Sequence, residues 1–181
     1  AALSTVHYSM PAHVFREYRP SARVTAPGGD LADDSTLARV LPSAAADGEV
    51  MLLCIGGEGA SRTGLNLVLN FRDMGLHNML ILAPARPVCA RLWEVTPELA
   101  CVWWPAAFKR RRPPSLYNTK FNPTALAFFE ARKILLEKLV IRHHLNVLHL
   151  DADSLWFANP MPLFKTVRAE TSQRPRSRDT T

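Results

Sequence analysis

Short apolar runs alternate along the middle of the chain with segments whose apolar residues recur at helical spacing. Continuous apolar runs that end at glycine, proline or aspartate are typical of strands buried on both faces of a sheet. They predict strands at residues 50–55, 78–83, 100–104 and 147–150. Apolar residues three or four positions apart predict helices at residues 65–74, 89–95 and 124–143. This alternation predicts an α/β fold with an open, mostly parallel sheet flanked by helices.

Composition divides the chain into a central domain and two flanking segments. Residues 1–47 mix proline, alanine, serine and aspartate without periodicity, and they predict a loosely structured lead-in with one short helix near Asp34. Residues 48–164 form the predicted α/β domain, whose sheet is expected to be truncated after the strand at 147–150. Residues 165–181 are polar and basic without an apolar face, which favours a disordered tail.

Positive charge is concentrated in two short segments. The formal net charge is +6, and the excess comes from residues 109–112 and from the tail. Neither segment carries the interleaved aromatic residues that stack on bases. No apolar run reaches the length of about 20 residues that crosses a bilayer. We therefore expect no nucleic-acid partner, and no membrane span or targeting segment within this chain.

Three cysteines, Cys54, Cys89 and Cys101, occur without paired spacing. An odd number with this spacing is not typical of a disulfide framework or of a zinc site. Cys54 lies within a predicted apolar strand, where a free thiol packs as a small hydrophobic side chain. We therefore expect neither a disulfide framework nor a zinc site.

The segment at residues 146–160 combines an apolar strand with Asp151 and Asp153 directly after it. In an extended chain, residues two apart point to the same face and lie roughly 7 Å apart, so both carboxylates can ligate one divalent cation. A cation at the carboxyl end of a strand is well placed to neutralise a diphosphate. The alternative is a pair of solvated carboxylates in a turn. Trp156 and Phe157, which follow, are expected to pack in the core.

Four segments resemble, in the same order, the nucleotide-diphospho-sugar transferase family of plants and algae, which includes cell-wall arabinosyl- and xylosyltransferases. They are the strand at residues 50–55, the helix, glycine and strand at 67–83, the lysine-bearing helix at 133–139 and the acidic motif at 146–160. The resemblance implies a GT-A-like (Rossmann-like) fold and a glycosyltransferase that moves a sugar from a nucleoside-diphosphate donor to a glycan or glycoprotein. It also implies Mn²⁺, or Mg²⁺, as cofactor and a location in the Golgi or secretory lumen.

By position, the resemblance assigns Asp151 and Asp153 to the metal and the donor. It assigns Lys133 to a donor contact that offsets charge on the departing diphosphate. Gly56 and Gly57 follow the first strand of the resemblance, where a backbone can approach a nucleotide, although a plain turn explains them as well. The glycine spacing of a dinucleotide-binding fingerprint is missing. No base or nucleophile is recognised, so the catalytic residues stay unassigned.

Two other interpretations stay open. Ser154 and Leu155 stand where the family commonly has a β-branched pair, and the family continues well past the acidic motif. A chain with only the donor-binding half is also consistent with a non-catalytic or truncated paralogue that binds a nucleotide or a partner chain. Phosphatases of the haloacid dehalogenase type also place Asp-x-Asp after an apolar strand, but their motif opens the domain and continues with a small pair such as Gly-Thr.

Overall fold

Five strands form one parallel sheet in the computed structural model, which describes residues 28–56, 58–105 and 123–162. The strands are β1 (Gly28–Asp30), β2 (Glu49–Cys54), β3 (Met79–Ala83), β4 (Ala100–Trp103) and β5 (Asn146–Asp151). The helices are α1 (Thr36–Ala44), α2 (Glu58–Asp73), α3 (Arg86–Val95) and α4 (Pro123–Glu137). The strand order is β1-β4-β3-β2-β5, and every pairing between these strands is parallel. The predicted α/β class is confirmed.

Each face of the sheet packs against two helices. α2 and α3 cover one face, where Leu53 of β2 is buried with Phe71 of α2. α1 and α4 cover the other face, where Leu52 of β2 is buried with Leu135 of α4. Because successive residues of a strand point to opposite faces, covering both faces requires an unbroken apolar run. β2 meets this requirement, since every residue after Glu49 is buried.

A glycine ends α2 as the sequence predicts. Gly75 has a φ of +75°, which a residue with a side chain rarely adopts. The N–H of Gly75 donates to the C=O of Arg72, and the N–H of Leu76 donates to the C=O of Phe71. These two bonds form a Schellman motif, which satisfies the last carbonyl groups of the helix. After this helix end, the chain re-enters the sheet as β3.

The strand order reverses at β2. β3 and β4 follow on one side of β2, whereas β5 lies on its other side and is reached through α4. Cys54 at the end of β2 is in register with Asp151 at the end of β5. In open α/β sheets, ligands bind outside the carboxyl ends of the strands where the order reverses. The fold therefore brings the acidic motif to the edge at which this architecture forms binding sites.

Residues 28–47 form more regular structure than the loosely structured lead-in expected there. The short helix expected near Asp34 is confirmed as α1, and the strand β1 was not expected. β1 pairs with β4, and α1 packs on the sheet with Val40 fully buried. A Cβ at Gly28 would lie 2.5 Å from the carbonyl oxygen of Cys101 and 2.6 Å from the Trp93 ring. The glycine pair at 28–29 thus permits close packing of a strand, which the composition does not reveal. Residues 1–27 and the predicted tail at 165–181 lie outside the described residues.

A disulfide joins Cys89 of α3 to Cys101 of β4, with their Cα atoms 5.7 Å apart. The expectation of no disulfide framework is therefore wrong for this pair. The two cysteines are 12 residues apart in sequence, and they meet because α3 packs on the sheet next to the strand that follows it. Both are fully buried in that layer. Cys54 is a free, buried thiol, as its apolar context predicts.

We expect thiol counting to reveal this disulfide. In denaturant without a reductant, an alkylating reagent should label Cys54 alone, and after reduction it should label all three cysteines. The Cys89→Ala/Cys101→Ala variant should lose about 2–4 kcal/mol of unfolding free energy in urea, because the cross-link restricts the unfolded chain. Three labelled thiols without reductant would contradict the disulfide.

Candidate functional site

Asp151 ends β5 at the carboxyl edge of the sheet. Its side chain is 70% exposed, and its Oδ1 lies 3.5 Å from Nη1 of Arg132 on α4. An ion pair with this exposure contributes little to stability. The Asp151 carboxylate can therefore exchange its partner for a ligand from solvent at little cost in folding free energy.

Asp153 lies in a turn rather than in the strand. β5 stops at Asp151, residues 152 and 153 form the turn, and the N–H of Ser154 donates to the C=O of Asp151 with an N···O distance of 3.2 Å. The expectation of an extended chain through Asp153 is wrong, because the chain bends toward α2 here. The two aspartates nevertheless lie at the same end of the sheet, and both are exposed.

Arg132 is the basic residue that α4 brings to this edge. Its Nη1 lies 3.5 Å from Oδ1 of Asp151 and 3.5 Å from Nε2 of His149. Its guanidinium lies 4.6 Å from the centre of the Phe129 ring. Arg132 therefore connects α4 to two residues of β5. Its guanidinium also places a positive charge beside the carboxylate of Asp151.

The sequence of the acidic motif does not predict a contact with Arg132, but the pattern of buried residues along α4 does. Arg132 directly follows the buried Ala131 and precedes the buried Leu135 by three positions, so its stem lies beside the buried stripe of α4. Lys133, which the resemblance assigns to the donor, is one position further around the helix and is exposed. The helix thus presents two neighbouring cations, of which Arg132 contacts the site.

The other predicted donor contacts lie at the start of α2. Gly56 is exposed, and a Cβ there would be 3.8 Å from the Phe128 ring, so space alone does not require glycine. Gly57 lies outside the described residues. α2 begins at Glu58, directly after the turn. Its amino terminus therefore lies at the carboxyl edge of the sheet, where free N–H groups and the helix dipole favour an anion.

Close packing holds α2 beside the acidic turn. A Cβ at Gly64 of α2 would lie 2.6 Å from Cδ1 of Ile55 and 3.9 Å from the Cβ of Ala152. Ala152 is the residue between the two aspartates. The absence of a side chain at Gly64 thus lets the first half of α2 approach the end of β5.

The aromatic residues after the turn differ in burial. Trp156 packs against Phe71 of α2 with ring centroids 6.1 Å apart. The Asn70 side chain donates to the C=O of Trp156 at 3.0 Å and accepts from its N–H at 3.1 Å. Phe157 is 92% exposed. Core packing is confirmed for Trp156 and wrong for Phe157, because α2 covers only one of the two rings.

The surroundings of Arg132 shift two titratable groups. Burial lowers the pKa of His149, and the Arg132 charge lowers it further, although Asp151 acts in the opposite direction. Burial raises the pKa of the Cys54 thiol to about 12, with Arg132 opposing. The imidazole is therefore mainly neutral near pH 7, and the thiol stays protonated. A protonated, buried thiol is a poor nucleophile.

Two exposed carboxylates are the metal-binding groups that the acidic turn offers. Within the described ranges, no three His, Cys, Asp or Glu side chains converge as a site made of protein ligands alone would require. Mg²⁺ commonly takes one or two carboxylates and completes its coordination with substrate phosphates and water. A cation held by Asp151 and Asp153 would therefore need to complete its coordination with a phosphate-bearing ligand and water.

No protein family, curated protein or solved structure matches the chain. Among the helices that the structure describes, none is both long enough and apolar enough to cross a membrane. A functional assignment therefore depends on the fold and on the geometry around Asp151.

We expect the protein to lose stability in acid through His149. Its pKa in the folded state is lowered from the ordinary value of 6.5, so the unfolded chain binds a proton more readily. The contribution of His149 to the free energy of unfolding is therefore present above pH 6.5 and decreases as the pH falls below that value. The unfolding free energy, measured in urea at neutral pH and at about pH 5, should fall less in His149→Gln than in the wild type.

His144→Gln is the matched control for this measurement, because it removes an exposed imidazole two positions before β5. It should keep the acid response of the wild type. An equal acid response in His149→Gln and the wild type would show that the His149 pKa is not lowered by folding.

Proposed function

We propose that the chain is a metal-dependent glycosyltransferase that binds a nucleoside-diphosphate sugar at the carboxyl edge of β2 and β5. The observation that carries this proposal is the position of the acidic turn. Asp151 ends β5, the strand next to β2, and Asp153 follows it, at the point where the strand order reverses. Parallel α/β sheets bind nucleotides at such points. The parallel sheet is consistent with a GT-A-like fold, which is part of the proposal.

Groups that favour a diphosphate lie around this edge. The amino terminus of α2 supplies N–H groups and a positive dipole. Arg132 supplies a planar guanidinium that can bind two phosphate oxygens, and Lys133 supplies a mobile point charge on the same helix. We assign Arg132 and Lys133 to the diphosphate of the donor.

Asp151 and Asp153 would hold a divalent cation, Mn²⁺ or Mg²⁺, between the turn and the diphosphate. When bound, the cation would neutralise the diphosphate and stabilise it as a leaving group. The carboxylates of Asp151 and Asp153 would position the cation, and the basic residues of α4 would bind phosphate oxygens of the donor. In the transfer, the bond from the anomeric carbon to the diphosphate would break as the acceptor oxygen bonds to that carbon, and the hydroxyl proton would pass to the departing diphosphate or to water.

The proposed donor carries a pentose or hexose, and the proposed acceptor is a glycan or a glycoprotein. The Cys89–Cys101 disulfide supports a location in the Golgi or secretory lumen. Disulfides persist in oxidising compartments, whereas the cytosol keeps most thiols reduced.

Calorimetric titration of UDP, with and without Mn²⁺, tests the site. The wild type should bind UDP more tightly with Mn²⁺, because the cation is shared between the carboxylates and the diphosphate. Asp151→Asn and Asp153→Asn should abolish the Mn²⁺-dependent part of the binding free energy, since each substitution removes a negatively charged ligand. Asp73→Asn is the control, because it removes an exposed carboxylate at the other end of α2. Unchanged Mn²⁺ dependence in both site variants would refute the assignment.

UDP release from a UDP-sugar, measured with a glycan acceptor, separates transfer from binding. Release that requires Mn²⁺ and disappears in Asp151→Asn would support the transferase. Mn²⁺-dependent UDP binding without release from any of several UDP-pentoses and UDP-hexoses would favour a non-catalytic chain that binds the nucleotide.

A further inference from the structure

β5 lies at one end of the strand order. Within the described ranges, β5 pairs with β2 on one side and with no strand on the other. The N–H of Asn146 donates to the C=O of Gly48 on the β2 side. Because the backbone groups of successive strand residues point alternately to the two sides, Val147, His149 and Asp151 direct theirs outward. β5 thus presents a regular edge of six residues.

The two edges of the sheet differ in their protection. Natural sheets protect an edge by shortness, by proline or lysine, or by a bulge, because a free edge pairs readily with another strand. β1 at the opposite edge has three residues. β5 contains neither proline nor lysine, and its register with β2 advances residue by residue without a bulge. The β5 edge is therefore suited to pairing.

Apolar side chains of α4 flank the β5 edge. The contact of Arg132 with Asp151 shows which side of α4 faces this edge. Phe129 and Leu136 are three and four positions from Arg132, so they lie along the same side of α4. Val140 follows in the π-helical turn Lys138–Arg142, which continues α4. Phe129 is 50% exposed and Val140 is 45% exposed. A strand added to β5 would remove part of this apolar surface from water, which is favourable.

The two ends of β5 carry charges of opposite sign. Arg142, His143 and His144 precede the strand, whereas Asp151 is its last residue and Asp153 lies in the turn that follows. An antiparallel copy of the same strand brings each basic end beside an acidic end. A partner of a single sign would match only one end. The charge distribution therefore selects a second copy of this chain as the partner.

We propose that two copies of the chain associate through antiparallel pairing of their β5 strands, which joins two sheets into one. A two-fold axis at His149 pairs His149 with its counterpart and Val147 with Asp151 of the second copy. In this register the acidic end of each β5 strand lies beside the basic end of the other. The interface is self-complementary in backbone hydrogen bonds and in charge, as two-fold symmetry requires.

Sedimentation equilibrium over a range of concentrations tests the association, in the absence of UDP and Mn²⁺ so that the result is independent of the proposed donor site. We expect a reversible species of twice the 20.2 kDa chain mass. Hydrogen exchange at the amides of Val147, His149 and Asp151 should slow as the dimer fraction increases. A monomer at every concentration, or a dimer in which these three amides exchange as in the monomer, would overturn the proposal.

A charge exchange identifies the interface. Arg142→Glu should raise the dimer dissociation constant about tenfold, because it reverses the charge at two symmetry-related contacts. Arg86→Glu makes the same change at an exposed position of α3, on the other face of the sheet, and should leave the constant unchanged. An equal effect of the two arginine variants would contradict the antiparallel pairing.

Discussion

The double burial of β2 is the constraint on which the rest of the structure depends. Both faces of this strand are covered, by α2 on one side and by α4 on the other, and both of its edges are hydrogen-bonded. A strand in this position can satisfy its backbone groups only through neighbours on both sides. β3 and β5 supply them from opposite directions of the chain. The reversal of strand order, and with it the edge that carries Asp151, follows from this arrangement.

The acidic turn depends on contacts that lie outside its own sequence. The side chain of Asn70 on α2 hydrogen-bonds to the backbone of Trp156, which follows the turn. The missing side chain at Gly64 allows α2 to approach Ala152 in the turn. Arg132 places a positive charge against Asp151 from the other face. The carboxylates stay exposed while their surroundings are held by buried groups, which suits the proposed binding and release of a charged ligand.

Local patterns predicted most of the regular structure. β2, β3, β4 and β5 coincide with apolar runs, and α2 ends at the glycine that the pattern indicates. The errors share one cause, which is that the residues depend on neighbours far along the chain. β1 exists because β4 offers it a free edge, Cys89 meets Cys101 because α3 packs beside β4, and Phe157 is exposed because α2 covers only the adjacent ring.

The sequence by itself determined the period of each segment, the glycine that ends α2 and the presence of two aspartates at the end of a strand. These properties depend on residues a few positions apart, and the same apolar runs would suit several strand orders. The tertiary structure alone decided that β5 lies beside β2, that Arg132 reaches Asp151 and that β5 is the last strand in the order of the described residues. Such contacts arise from the simultaneous packing of several helices on both faces, so no single segment encodes them.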